Sequence, residues 1–287
     1  MKRAAWFRYS LAGPILQAML EFAPSIARTA ARLLGAAAMV LAVGCSGAAG
    51  PTCGSGAASG NCTRVLFLGN SFTYVNDLPA TFAQLAQSGG RPAQVAMVAN
   101  GGETLAQHAA SPDSLGKIAS QGWTYVVLQE QSDTPDTAAG RAYMYPAAQT
   151  LSGKAEAAGA VPMLFMTWAH KDGEPTAGMP TYESMQQQID AAYIEIAQQL
   201  HVPVAPVGYT WYMVRHDHPE ISMWQDDGIH PTQAGTYLAA CVFYASIFRQ
   251  SPEGLSFHGG VSDAQAQVLQ AEAGQHVLDL SAEWGLR

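Results

Sequence analysis

Charge is what this sequence has least of. Only 13% of its 287 residues are Asp, Glu, Lys or Arg, and just fourteen are basic. Five of those fourteen stand in residues 1–45 beside a single acid. The rest of the chain therefore carries nine Lys/Arg against twenty-one Asp/Glu, a net of −12. With so few cations no basic patch remains for a phosphate backbone or an anionic lipid surface, which argues against nucleic-acid binding. Cysteine is scarce too, at four residues. The flanks of Cys53 and Cys62 hold no His at metal-ligand spacing, so zinc is a poor reading. His216-Asp217-His218 has no further ligand cluster near it and reads as a solvated loop. No Gly-x-Ser-x-Gly occurs anywhere, which argues against the strained nucleophile turn of the α/β-hydrolases. No metal and no organic cofactor is expected. What the chain does have is apolar bulk: 48% of the residues, ample for a sizeable core.

Arg28 and Arg32 precede an apolar run, Leu33 to Val43, that ends in Gly44-Cys45. The run is too short for a comfortable membrane span and reads as an export signal. Small residues before Cys45 and Ser-Gly-Ala-Ala-Gly after it resemble the lipobox of bacterial lipoproteins, although Ala42 stands where Leu is usual. Cys45 would then be a lipid anchor and the only route to a membrane; the alternative is a plain secretory signal cut nearby. Residues 1–27 are long for the leading segment of a signal, so Met19 is a second candidate start. Either way the protein is expected to be exported, to a bacterial cell envelope or beyond it. Residues 46–62 are rich in Gly, Ser and Ala and read as a tether. Within it Cys53 and Cys62 bracket a segment that can close into a disulfide in an oxidising compartment. The folded domain is expected over 63–287, with Cys241 as a small buried hydrophobe.

From Arg64 onward, continuous apolar runs alternate with helical patterns. The runs are Val65 to Leu68, Gln94 to Val98, Tyr125 to Leu128, Val161 to Met166 and Val202 to Val207. The helical segments lie near 77–88, 138–158, 181–200, 232–248 and 262–278. Continuous apolar strands separated by helices predict a parallel sheet covered on both faces, a doubly wound three-layer αβα domain. Ligands in such sheets bind beyond the carboxyl ends of the strands.

The first strand ends in Gly69-Asn70-Ser71-Phe72-Thr73. A serine there stands where a following helix N-terminus supplies backbone N–H donors, although a serine after a strand is commonly just a cap. Near the other end stands Asp226-Asp227-Gly228-Ile229-His230-Pro231. An acid three residues before a histidine, in a turn made by Gly and Pro, can set its carboxylate against the imidazole and fix the tautomer.

Together these blocks resemble the SGNH (GDSL-like) hydrolases. Gly-Asn-Ser-Phe-Thr is similar to the family's Gly-Asp-Ser-Leu block, Asn100-Gly101-Gly102-Glu103-Thr104 to its second block, and Asp227-Gly-Ile-His230-Pro to its last. The resemblance spans about residues 64–250 and implies a flavodoxin-like αβα fold. It also implies a triad of Ser71, His230 and Asp227 acting through an acyl-enzyme, and an oxyanion hole that includes the Ser71 and Gly102 N–H groups. The third block departs from the pattern. Leu128-Gln129-Glu130-Gln131-Ser132 stands where Gly-x-Asn-Asp is usual, which resembles a bacterial subgroup with glutamine after that strand. A glutamine amide is then expected to replace the asparagine donor. Gln129 is favoured because it follows the apolar run directly, and Gln131 is the competitor. Glu103 and Glu130 are given no role. His170 is expected to border the pocket, and Trp168, Trp211 and Trp224 are either sugar platforms or packing.

The family takes many esters, so the substrate is not fixed by the blocks. Export favours short acyl esters, with O-acetyl groups on carbohydrate as the leading class and a small-molecule or polysaccharide ester as partner. The alternatives are a lipase-like carboxylesterase for longer chains, a transferase using the same acyl-enzyme, and a non-catalytic carbohydrate-binding module on the same fold.

Overall fold

The computed structural model describes residues 62–120 and 122–286. Residues 1–45, read as an export signal with Cys45, the expected tether up to residue 61 and Cys53 lie outside the described residues. Cys62 is disulfide-bonded. Five parallel strands form one sheet: β1 (Thr63–Gly69), β2 (Ala93–Ala99), β3 (Tyr125–Leu128), β4 (Val161–Phe165) and β5 (Val204–Ala205). Their order is β2-β1-β3-β4-β5. Val65 to Leu68 are wholly buried, as a central parallel strand covered on both faces requires. Leu68 of β1 lies opposite Val98 of β2 and Leu128 of β3.

Nine α-helices surround the sheet among the described residues. They are α1 (Ser71–Tyr74), α2 (Leu78–Ser88), α3 (Leu105–Ala110), α4 (Pro112–Ala119), α5 (Ala138–Ala157), α6 (Tyr182–Leu200), α7 (Val207–Asp217), α8 (Gln233–Phe248) and α9 (Asp263–Leu278). The chain first steps from β1 to one edge, then returns past β1 and continues the other way through β3, β4 and β5. Right-handed crossovers therefore place α2 on one face and α3 to α6 on the other. Helix contacts agree: α2 meets α8 and α8 meets α9, whereas α3 and α4 meet α5. The expected three-layer αβα architecture is the observed one. Phe67 of β1 packs edge-on against Phe82 of α2 and Phe243 of α8, with ring centroids 6.2 and 5.2 Å apart. Cys241 is buried on α8 with a free thiol that burial pushes up.

Two boundaries differ from the sequence pattern. The apolar run 202–207 yields only two strand residues, because Pro203 and Pro206 flank them and have no N–H for the ladder, and Val207 already opens α7. The short helices α3 and α4 were not anticipated. The first begins in a capping box, Thr104 with Gln107, and the second has a Ser111 cap and Pro112 at its first position.

Several carboxyl groups are buried inside this frame. Asp190 of α6 has one oxygen bound by Gln186 Nε2 at 2.8 Å and the other unpartnered, and burial pushes its pKa to about 7. Asp136 is pushed to about 6 by burial and by nearby Asp133 and Glu174. These groups hold their protons in the folded state at pH values where the unfolded chain has lost them. They therefore stabilise the fold below about pH 4 to 5, and that contribution is lost as pH rises toward 7. The melting temperature should be higher at pH 5.5 than at pH 8, by about 2–4 °C for each kcal/mol gained. A flat or opposite trend in calorimetry would mean that these carboxyls are solvated.

Candidate active site

The chain reverses its crossover direction between β1 and β3, and the ends of those two strands carry the first two elements of the site. β1 ends at Gly69, where a Cβ would collide with Thr73 Oγ1 and Gln129 Oε1. Next comes Asn70, 2% exposed, which joins three segments. Its Oδ1 caps α1 by accepting from Phe72 N–H at 3.1 Å and also accepts from Gln129 Nε2 at 2.9 Å. Its Nδ2 donates to the Glu103 carbonyl at 3.1 Å, so the Ser71 turn is tied to the Gly102 loop. An aspartate at this position could not make that last bond at neutral pH, since it would have no donor. Ser71 opens α1 half-buried. Neither the Ser71 N–H nor the Gly102 N–H finds an acceptor among the described residues. Gly102 has φ +68°, a left-handed conformation that suits glycine.

The third element is the loop before α8. Asp227 Oδ1 accepts from the N–H groups of Ile229 and His230, both at 2.9 Å, and its Oδ2 lies 2.6 Å from His230 Nδ1. Burial acts to raise the Asp227 pKa. The bonds from the His230 ring and the two backbone N–H groups outweigh it and hold the carboxyl below its ordinary value. Gly228, at φ +71°, lets the turn close, and its carbonyl is gripped by Lys171 N–H at 2.8 Å.

What presses this loop against α1 was only partly legible in the sequence. Asn76, in a left-handed conformation just after α1, donates to the Pro231 carbonyl at 2.9 Å and to Thr236 Oγ1 at 3.0 Å. The Phe72 ring meets the His230 ring edge-on at 6.2 Å and stacks on Trp168 at 4.2 Å. Trp168 stacks in turn on Trp211 at 4.2 Å and donates through Nε1 to the Ile229 carbonyl. Trp168, Trp211 and Trp224 are therefore buried struts under the site and not sugar platforms. The Ser71 hydroxyl itself is not hydrogen-bonded to His230. The loop that carries His230 is tied to the helix that Ser71 opens through Phe72, Asn76 and Pro231. His108 on α3 escaped the sequence reading altogether. Fully buried, it lies with Nε2 2.9 Å from the Gly69 carbonyl and Nδ1 2.8 Å from Ser114 Oγ. A carbonyl only accepts, so Nε2 carries the proton and Ser114 donates to Nδ1.

The expected role of Gln129 needs correction. Its side chain is wholly buried, and its Oε1 accepts from Asn70 N–H at 2.8 Å and Thr73 Oγ1 at 2.9 Å. Its Nε2 donates to Asn70 Oδ1 at 2.9 Å and to the Glu130 carbonyl at 2.6 Å. The backbone N–H at Asn70 requires an acceptor, which fixes the amide orientation. Both amide hydrogens are committed, and none is left for an oxyanion. Gln131 is half-exposed. Its Nε2 donates to Asp133 Oδ2 at 3.1 Å, while its Oε1 receives Asp133 N–H and Thr134 Oγ1.

Gly102, Gln107, Glu130, Gln131, Asp133 and Tyr143 line a groove of about 570 Å³ beside the second loop. His170 does not line it but stands behind its acidic rim. There His170 Nε2 lies 3.1 Å from both Ser132 Oγ and Asp133 Oδ1. His216 and His218 pair with carboxylates, and no cluster of three or more metal-ligating side chains is found among the described residues.

No family model and no curated protein matches this sequence. Solved structures do. A proposed SGNH hydrolase from Slackia heliotrinireducens is 31% identical, with a TM-score of 0.55, over 64% of this chain and 97% of its own. A DUF4886 family protein from Bacteroides uniformis reaches a TM-score of 0.63 at 18% identity, over 76% of this chain and 95% of its own. A GDSL-like lipase from Parabacteroides merdae, also assigned by resemblance, reaches 0.50 at 13% identity, over 63% and 94%. The last two share the fold; the first adds sequence identity along nearly its whole length. With the flavodoxin-like sheet and that relative in hand, the chain belongs to the SGNH (GDSL-like) hydrolases.

Proposed function

We propose that the protein is a serine ester hydrolase for short acyl esters of hydroxyl-rich alcohols, O-acetylated carbohydrate foremost. Ser71 is the nucleophile, His230 the base and Asp227 its orienting acid. The observation that carries this reading is the 2.6 Å contact of Asp227 Oδ2 with His230 Nδ1, in a loop held against the helix that Ser71 opens. The contact keeps the proton on Nδ1 and leaves Nε2 as the basic nitrogen. Nε2 takes the Ser71 hydroxyl proton as Oγ attacks the ester carbonyl. The tetrahedral oxyanion is received by the unengaged N–H groups of Ser71 and Gly102, with the Gln131 amide as the remaining side-chain candidate. His230 returns the proton to the departing alcohol. Water then cleaves the acyl-enzyme with the same base, giving the free acid and the original serine.

The groove supports a polar alcohol. Gln107, Gln131, Asp133 and Thr134 of its wall offer hydrogen bonds beside Ala106, Gly140 and Tyr143, and it adjoins the Gly102 loop rather than Ser71 or His230. The unengaged N–H groups of Ser71 and Gly102 favour an enzyme over a binding module, because a module has no oxyanion to receive. With the export signal read in residues 1–45, the reaction belongs outside the cytoplasm. A chain-length series of nitrophenyl esters, run beside acetylated xylan and similar polymers, tests the substrate class. kcat/KM should be greatest for acetate and fall as the chain lengthens. A maximum at octanoate or beyond would replace this reading with the lipase-like one.

A further inference from the structure

Glu130 is an acid where charge is costly. Its side chain is wholly buried at the end of β3, and it makes two bonds through one oxygen. Oε1 accepts from Gln131 N–H at 2.7 Å and from Leu105 N–H at 3.2 Å, while Oε2 is buried without a partner. Its own N–H is anchored on the Tyr193 hydroxyl of α6 at 3.2 Å. Leu105 is the first residue of α3, three positions after Gly102, and an orphan N–H at a helix start needs an acceptor. Thr104 and Gln107 already cap the start of α3 from within, so Glu130 adds a bond that fixes where α3 sits relative to β3. Among the described residues no other side chain ties the third block to the start of α3.

We infer that Glu130 is a positioning residue that straps the Gly102 loop to the sheet and so holds the Gly102 N–H where an oxyanion forms. The inference rests on the oxyanion role proposed above for Gly102. A carboxylate accepts N–H bonds more strongly than its neutral acid. Burial raises the Glu130 pKa to about 7, against the lowering effect of the Gln131 and Leu105 bonds and Thr134. The strap therefore slackens on acidification through neutrality. The other titratable groups around it are Tyr193 of α6, whose hydroxyl burial holds protonated throughout, Glu103 and His108 on the α3 side, and Asp133 of the same loop.

Two variants test this in the full-length protein. Glu130→Ala removes both bonds; Glu130→Gln keeps the accepting oxygen and removes the charge. In Glu130→Ala, amide exchange of peptides covering 101–110 should quicken about tenfold while peptides from α8 stay protected. On nitrophenyl acetate kcat should fall about 10- to 100-fold with KM within about threefold, because the misplaced donor matters once charge has developed. Glu130→Gln should recover most of the exchange protection and of kcat at pH 8, and its pH profile should lack the component of wild-type kcat centred near pH 7. Unchanged exchange in 101–110, or a Glu130→Gln profile that overlays wild type, overturns the inference; the second criterion stands even if the alanine variant does not fold. Exchange is read without substrate. A failure of the triad itself would instead show as activity surviving Ser71→Ala, whatever the strap does.

Discussion

Ser71→Ala should abolish ester hydrolysis while leaving the fold intact. The side chain is half-buried at the start of a four-residue helix, its hydroxyl carries no structural bond to His230, and the Asn70 cap that holds the turn stays in place. Its removal should therefore shift the melting temperature by no more than about 2 °C. The chemical loss is far larger, because without the nucleophile no acyl-enzyme forms; a fall of about 10⁴ or more in kcat is expected. His230→Ala should be comparably severe. Asp227→Ala should be somewhat milder, since the imidazole that takes the proton is still present and only its orienting partner is lost. Among the described residues two other serines sit beside a histidine: Ser114 next to His108, both fully buried, and Ser132 next to His170, which is the competitor to exclude. Ser132 Oγ lies 3.1 Å from His170 Nε2, but Asp133 Oδ1 occupies that same nitrogen at the same distance, and Ser132 is buried. Should Ser71→Ala retain more than about a tenth of wild-type rate while Ser132→Ala loses it, the nucleophile is Ser132.

The long elements were legible because their apolar patterns are decided by burial alone. Tyr125 to Leu128 is a strand to the residue, and the helices read near 138–158, 181–200 and 262–278 lie within a residue of α5, α6 and α9. Position along the chain also pointed to Ser71, Asp227 and His230, at a strand end and in a Gly-Pro turn, while Gly102 came from the resemblance to the family's second block. What eluded the sequence is the set of side-chain ties across large separations. Asn76 to Pro231, Asn70 to Glu103, His108 to Gly69 and Glu130 to Leu105 each join segments whose proximity exists only after the sheet forms. A buried polar residue among apolar neighbours hints at such ties but does not name the partner. The tryptophans left two readings open, sugar platform or packing, and the stacked column of Phe72, Trp168 and Trp211 decides for packing.

Gln129 and Gln131 should part company, with stability lost at one and rate at the other. Gln129→Ala strips the acceptor from Asn70 N–H and Thr73 Oγ1, removes the donor to Asn70 Oδ1, and leaves a void beneath Gly69. Each buried group left unpaired costs about 1–3 kcal/mol, so the whole change should destabilise by about 3–5 kcal/mol. A drop of about 10 °C in melting temperature follows for a domain of this size. The rate should fall as well, because Asn70 fixes both the Ser71 turn and the Glu103 carbonyl, but the fall should accompany measurable loosening of peptides around 68–74. Gln131→Ala touches only a half-exposed turn whose partners, Asp133 and Thr134, can turn to water. Its stability should stay within about 0.5 kcal/mol of wild type. If the Gln131 amide is the third oxyanion donor, kcat should drop about 10²- to 10³-fold with KM nearly constant. Wild-type kcat in Gln131→Ala would leave the hole to the Ser71 and Gly102 N–H groups alone. A Gln129→Ala protein that melts normally yet turns over a thousandfold more slowly would restore Gln129 as the donor, and would mean that its amide leaves Asn70 when substrate is bound.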